Sequence, residues 1–174
     1  ECAGPSAARI VGLSALLPSG VHGIKARSVT QCGRNVVNQV PALRWDVHKH
    51  PMLPEPLASR VRHAGFVRGA DLADNAVFAV SPAEAAAMDP CQRLLLERGY
   101  EALHDAVLDR TLLAGSLTGV FLGFSGSEFA QLLAASPAGG SVFAATGSTA
   151  SIASGRLSYA LGLHGPCASY DLSL

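Results

Sequence analysis

Thiolates attack carbonyl carbons, paired imidazoles hold metals and paired carboxylates pass protons, and each task needs its own spacing. Four cysteines, Cys2, Cys32, Cys91 and Cys167, are spread through the 174 residues. No two are close and none forms C-x-x-C, so neither a zinc site nor a dense disulfide framework is indicated. They read as reduced thiols of an intracellular protein. His48 and His50 form a His-x-His pair able to chelate a metal, but they sit among prolines with no further ligand nearby. Asp71 and Asp74 are a candidate carboxylate pair in a polar turn, where a solvated loop is the simpler reading. G-x-G-x-x-G, G-x-x-x-x-G-K-[ST] and H-E-x-x-H are absent. Ser125 lies in Gly-Phe-Ser-Gly, which lacks the second spacing of a G-x-S-x-G nucleophile elbow. Residue types alone therefore predict no cofactor, no metal and no visible active site.

The elements that would position such residues are set by composition. Hydrophobic residues make up 49% of the chain and charged residues 15%, with zero formal net charge. That excludes a disordered charged tail and argues against a nucleic-acid partner. The length suits one domain or a large part of one. Of 26 charged residues, only Glu128, Arg156 and Asp171 fall after residue 110. Residues 1–68 carry a net +6 and residues 69–110 a net −5. An end so bare belongs in the middle of a layered protein or in a membrane. The uncharged run Phe129–Gly155 is 27 residues long, but Pro137, Gly139, Gly140 and seven Ser or Thr break it. A membrane span is therefore not expected, since hydropathy requires a continuous apolar stretch. The chain opens with Glu1 and shows no signal peptide or basic presequence, so it reads as processed or as an excerpt. The expected location is intracellular, in the cytoplasm or a plastid.

Local signals give the elements. Arg9–Leu13 reads as a short buried strand ended by Pro18-Ser-Gly20, and a short helix is expected near Arg34–Val40, followed by a loop around Trp45. Arg62–Arg68 alternates weakly and Ala76–Val80 is a short apolar run, so both are expected to be extended. Ser81-Pro-Ala-Glu84 is a capping box with Pro at the first helical position, and Asp89-Pro90 repeats the start signal. The helix that follows aligns Leu96, Tyr100, Leu103 and Val107 in one stripe, with Arg93 and Glu97 as an i, i+4 pair on its wet face. Thr118–Phe124 is an apolar strand of the kind covered on both faces. Helices follow over Glu128–Ala135 and Thr149–Leu161, the second rich in small residues and ending at Gly162. Pro166–Tyr170 reads as a further buried strand. The fold class is α/β, with a mostly parallel sheet and flanking helices.

Several segments together resemble the ketosynthase (beta-ketoacyl synthase) domain of type I polyketide and fatty acid synthases. Pro41-Ala-Leu-Arg-Trp-Asp46 is similar to its P-x-x-R-W-D element. Gly65-Phe-Val67, Phe78-Ala-Val-Ser-Pro82 and Glu84-Ala85 resemble its G-G-F…F-F-G-I-S-P-R-E-A stretch. Met88-Asp-Pro-Cys-Gln-Arg-Leu94 resembles M-D-P-Q-Q-R-L, with Cys91 in place of the first Gln. Thr118-Gly-Val-Phe-Leu-Gly123 is similar to T-G-V-F-(V/I)-G, and Thr146–Tyr159 with Leu161–Pro166 matches almost throughout. The match runs clearest over residues 41–171, and the whole of 1–174 reads as a partial N-terminal domain.

The resemblance implies an incomplete thiolase-like fold, the N-terminal half of a layered α-β-α-β-α core. Such domains dimerise and perform decarboxylative Claisen condensation: a cysteine takes the acyl chain from an acyl carrier protein, and two histidines assist decarboxylation of the malonyl extender. That cysteine sits at a turn into a helix, whose N-terminus favours the thiolate and whose backbone N–H groups form an oxyanion hole. The family writes the turn as D-T-A-C-S-S. Here Asp171 is followed by Leu-Ser-Leu174, so Leu174 stands at the nucleophile position and no histidine of the chain matches a catalytic one. Cys167 lies seven residues earlier on the expected strand, as a buried, inert thiol. The start departs too: Leu16 and Leu17 replace the family's Arg and Phe.

The resemblance thus leads to structural roles for its matching residues. Asp171 would fix the turn before the nucleophile. Gly147, Ser148 and Thr149 would start the small-residue helix that carries Gly155 and Arg156, and Met88, Asp89 and Arg93 would form the preceding helix start. Three readings follow. The chain is the N-terminal piece of a ketosynthase and inactive alone, with an acyl carrier protein and a homodimer partner. Alternatively it is a non-catalytic subunit, in an organelle or elsewhere, whose residues 111–174 neighbouring subunits cover. A third reading is a pseudoenzyme that binds acyl chains or carrier protein without condensing them.

Overall fold

The computed structural model describes residues 8–22, 24–44, 54–125 and 128–172. The chain divides into two compact units, Ala15–Gly69 and Glu1–Ser14 with Ala70–Leu174. The smaller unit begins with β1 (Leu16–Leu17), antiparallel to β2 (Val21–His22) across the one-turn 3-10 helix Pro18–Gly20. Helix α1 spans Ile24–Gln31. Strand β3 (Asn38–Gln39) pairs antiparallel with β4 (His63–Ala64), and α2 (Leu57–Val61) lies between them in the chain. Val21, Val40 and Ala58 are its buried apolar residues. The helix expected over Arg34–Val40 is not there. Gly33, at φ 59°, follows α1, and the Asn35 carboxamide oxygen accepts from the Val37 N–H at 2.9 Å. That side-chain bond offers the backbone an alternative to a helix, and two valines lead into β3. Of Arg62–Arg68, only His63–Ala64 is strand. The loop expected at Trp45 and the pair His48 and His50 lie outside the described residues.

In the larger unit the Asn75–Val80 stretch is a turn, correcting the extended run expected over Ala76–Val80. Phe78 N–H donates to the Asn75 carbonyl, Ala79 N–H to that of Ala76, and the Asn75 carboxamide donates to the Val80 carbonyl at 2.8 Å. The turn holds Ala79 at φ 54° and buries the Phe78 ring. Helix α3 (Pro82–Ala87) starts as its capping signal predicts: the Ser81 hydroxyl accepts from the Glu84 N–H at 3.2 Å. Helix α4 (Pro90–Asp105) starts at Asp89, whose carboxylate accepts from the Cys91 N–H at 2.7 Å.

Leu96, Tyr100 and Leu103 face the core together with Phe78, Met88 and Leu113. Val107 does not join them, contrary to the stripe expected. Helix α4 ends at Asp105, Val107 turns to φ 61°, and it stands 85% exposed while Leu108 packs inward. Arg93 and Glu97 do not pair either. Arg93 Nη1 donates to the Ala85 carbonyl at 3.3 Å, and the Glu97 carboxylate accepts from Asp74 N–H and lies 3.6 Å from Arg98. Both residues are half-buried under neighbouring backbone rather than on a wet face.

The strand expected over Arg9–Leu13 is also absent. Its exposed backbone runs beside α4, where Leu13 N–H reaches the Asp105 carboxylate at 3.1 Å and the Ser14 hydroxyl reaches Glu101 at 2.8 Å. Helical carboxylates take the donor bond that a neighbouring strand would have taken.

Helix α5 (Arg110–Leu113) is capped by Asp109, which accepts from the Thr111 and Leu112 N–H groups, both at 3.0 Å. The Thr111 hydroxyl and these N–H groups hold the Asp109 carboxyl below its usual range. Strand β5 (Val120–Phe124) follows, then α6 (Phe129–Ala134), α7 (Ala144–Ser148) and α8 (Ala150–Leu161). Gly162 closes α8 at φ 66°, a conformation open to glycine at no steric cost. Strand β6 (Cys167–Asp171) lies parallel to β5, in register from Val120 opposite Cys167 to Phe124 opposite Asp171. Helix α8 packs on both strands and on α4. The other face of the sheet stays open: Phe121 is 65% and Tyr170 56% exposed. Among the described residues, nothing provides the second cover that a continuous apolar strand leads one to expect.

Candidate functional site

Of the residues singled out from sequence, Met88, Asp89, Arg93, Gly147, Ser148, Thr149 and Arg156 lie where α3, α4, α7 and α8 meet, whereas Asp171 stands at the end of β6. Two start signals set one after the other, Ser81-Pro82 and Asp89-Pro90, break the chain into α3 and α4 and leave Met88 and Asp89 at the corner. Both are buried, Met88 as core and Asp89 as a carboxylate. The Asp89 N–H donates to the Gly147 carbonyl at 2.9 Å, which joins this corner to α7. A Cβ on Gly147 would run into the Ala87 carbonyl, so this close approach admits only glycine.

Gln92, one helical turn on, is 1% exposed. Its carboxamide N–H donates to the Thr149 carbonyl at 3.1 Å and reaches toward that of Thr146 at 3.5 Å. Its carboxamide oxygen accepts from Arg156 Nε at 3.1 Å. The other arm of Arg156 forms an ion pair with the Glu84 carboxylate. Only 11% of the Arg156 side chain and 23% of that of Glu84 are exposed. The chain Glu84–Arg156–Gln92–Thr149 thereby satisfies a buried carboxamide and ties α3, α4 and α8 together at the break between α7 and α8. Glu84 does not reach back to its own N-cap, as a full capping box would have it; Arg156 takes the carboxylate instead.

A second link runs from α8 to the sheet: the Ser169 hydroxyl on β6 donates to the Ser154 hydroxyl at 2.9 Å. Strand β6 ends with Asp171, and Leu172 N–H continues the ladder to the Phe124 carbonyl at 2.9 Å.

Gly147 and Ser148 belong to the end of α7, not to the start of α8; Thr149 stands between the two helices, with φ −90° and ψ 117°. The break arises because the Ser148 and Thr149 hydroxyls bond back to the Ala144 and Ala145 carbonyls, at 3.0 and 2.5 Å. Gly155 sits within α8 with open space where a Cβ would project. Leu174 lies outside the described residues.

Two thiols can be placed against the expected chemistry. Cys167 is exposed at the start of β6, not buried as its sequence position suggested. The Cys91 thiol, beside the start of α4, is pushed above its ordinary value, first by desolvation and then by the Asp89 carboxylate, which repels a thiolate and accepts a hydrogen bond from the thiol. Charge of this sign opposes the thiolate that a nucleophile needs. Among the described residues, no group of three or more His, Cys, Asp or Glu is placed to hold a metal. Sequence reasoning did not single out Glu84 or Gln92 as site residues. The signal was present, because both fall inside the quoted motifs, but their partner Arg156 lies 72 and 64 positions away.

A parallel pair covered by a small-residue helix, with a paired helix start packed beneath it, is the N-terminal portion of a thiolase-like ketosynthase fold. An oxazolomycin ketosynthase domain of Streptomyces albus superposes with a TM-score of 0.78 at 29% identity, covering 94% of this chain and 28% of that one. The profile of the family Beta-ketoacyl synthase, N-terminal domain, matches residues 7–171, and the chain belongs to that family. Among relatives, it is 44% identical over 142 residues to the spectinabilin polyketide synthase system protein NorC of Streptomyces orinoci, covering 80% of this chain and 6% of that protein. It is 40% identical over 165 residues to NorA of the same system, covering 93% and 9%. The chain thus spans under a tenth of these two relatives.

These likenesses favour the ketosynthase reading over a non-catalytic subunit. Both relatives are bacterial and lend no support to a plastid location. Among the described residues, no helix is long and apolar enough to cross a membrane.

Proposed function

We propose that this chain is the scaffold-bearing N-terminal part of a polyketide synthase ketosynthase domain, and that the chemistry of the whole domain is decarboxylative condensation of acyl thioesters. In that reaction a cysteine thiolate displaces the carrier thiol from an acyl thioester. Loss of carbon dioxide from a malonyl thioester then generates an enolate. The enolate carbon attacks the acyl carbonyl, and the cysteine thiolate leaves. The observation that carries the reading is the β5–β6 ladder, which brings Asp171 to the strand end where the family places its nucleophile turn.

The residues of the junction are positioning groups on this reading. Asp89, Gln92, Arg156 and Glu84 hold α8, and Ser154 on α8 holds β6. On this reading Leu174 stands at the nucleophile position, the proton-handling groups belong to other residues of a complete domain, and residues 1–174 alone carry out no condensation, since removing a covalent nucleophile removes the intermediate itself. An acyl carrier protein and a second ketosynthase copy are the partners that this reading assigns.

Intact mass of the protein isolated from its source is the test. A species extending past residue 174, and so carrying the family's downstream histidine-bearing segments, is the expected result. A natural chain of this length, held in a stable assembly with unrelated subunits, would replace this reading with that of a structural subunit.

A further inference from the structure

We draw no further inference here: the strongest candidate, the open face of the β5–β6 sheet where Phe121 and Tyr170 stand exposed, carries nothing, because nothing in the structure shows what covers it.

Discussion

Replacing Arg156 with alanine removes one side chain that serves two elements, so its cost can be worked out in parts. The guanidinium gives Gln92 a charge-assisted hydrogen bond at 3.1 Å, of a kind that contributes about 1.5–3 kcal/mol. It also neutralises Glu84, and removing one partner of a fully buried ion pair costs about 3–5 kcal/mol. Glu84 is not fully buried. With 23% of its side chain exposed, water recovers part of that penalty, and the two parts are not additive because they share one group. A net loss of about 3 kcal/mol follows, equivalent to a fall in Tm of roughly 6–12 °C for a chain of this size. The assay is urea unfolding of wild type, Arg156→Ala, Glu84→Gln and the double variant. The cycle should return a coupling of about 1–2 kcal/mol, with m unchanged. Arg156→Lys should recover no more than half of the loss, since an ammonium cannot serve Gln92 and Glu84 with one planar fork. A coupling below about 0.5 kcal/mol, no more than an exposed pair gives, would show that this junction does not tie the helices together.

Two further outcomes follow from the same corner of the molecule. Gly147→Ala drives a methyl into the Ala87 carbonyl, and a backbone collision of that kind should cost more than about 3 kcal/mol; a thermal melt unchanged within 2 °C, on the order of 1 kcal/mol here, would refute the close approach. Cys91 has its thiol pKa raised in the folded chain, so its stabilising contribution is present below the unfolded value and is lost as pH rises through the folded one. Near pH 8, iodoacetamide should therefore modify Cys91, followed by peptide mass mapping, more slowly in the folded chain than in urea. Asp89→Asn, which keeps a good N-cap and removes the charge, should speed the folded reaction. Equal rates in the wild type and this variant would rule out the Asp89 carboxylate as a cause.

The larger unit was legible where local chemistry and burial agree. Ser81-Pro82 and Asp89-Pro90 mark helix starts whatever surrounds them, because the side-chain oxygen meets an N–H two or three residues on. The α8 end at Gly162 and the β5 run were legible for the same reason: a left-handed cap and an apolar strand are local patterns, whereas β6, expected to be buried, is largely exposed. Errors came where a short segment's partner decides its state. Arg9–Leu13 has the composition of a strand, but its Leu13 N–H goes to the Asp105 carboxylate of α4 rather than to a neighbouring strand. Ala76–Val80 has an extended composition, yet the Asn75 side chain folds it into a turn. Among its described residues the smaller unit offers two-residue strands and little buried surface, so no periodicity could show them.

The candidate site was legible in its motifs and not in its connections. Met88, Asp89 and Arg156 are where the resemblance placed them in sequence. That Arg156 joins Glu84 to Gln92 is a long-range pairing, and spacing along the chain carries no trace of it. The resemblance puts Gly147, Ser148 and Thr149 at the start of α8; Thr149 is its N-cap, whereas Gly147 and Ser148 close α7. Cys167 was read as buried because its strand is apolar, but it stands at the strand's first position, where the chain leaves it exposed.

The central claim is that this stretch positions the ketosynthase nucleophile turn and brings no nucleophile of its own. The most direct test is to incubate the 174-residue chain with a radiolabelled acyl thioester and follow covalent label by intact mass and peptide mapping. The account predicts no stable acyl adduct on Cys2, Cys32, Cys91 or Cys167. A stable adduct on Cys167 that depends on folding would contradict it.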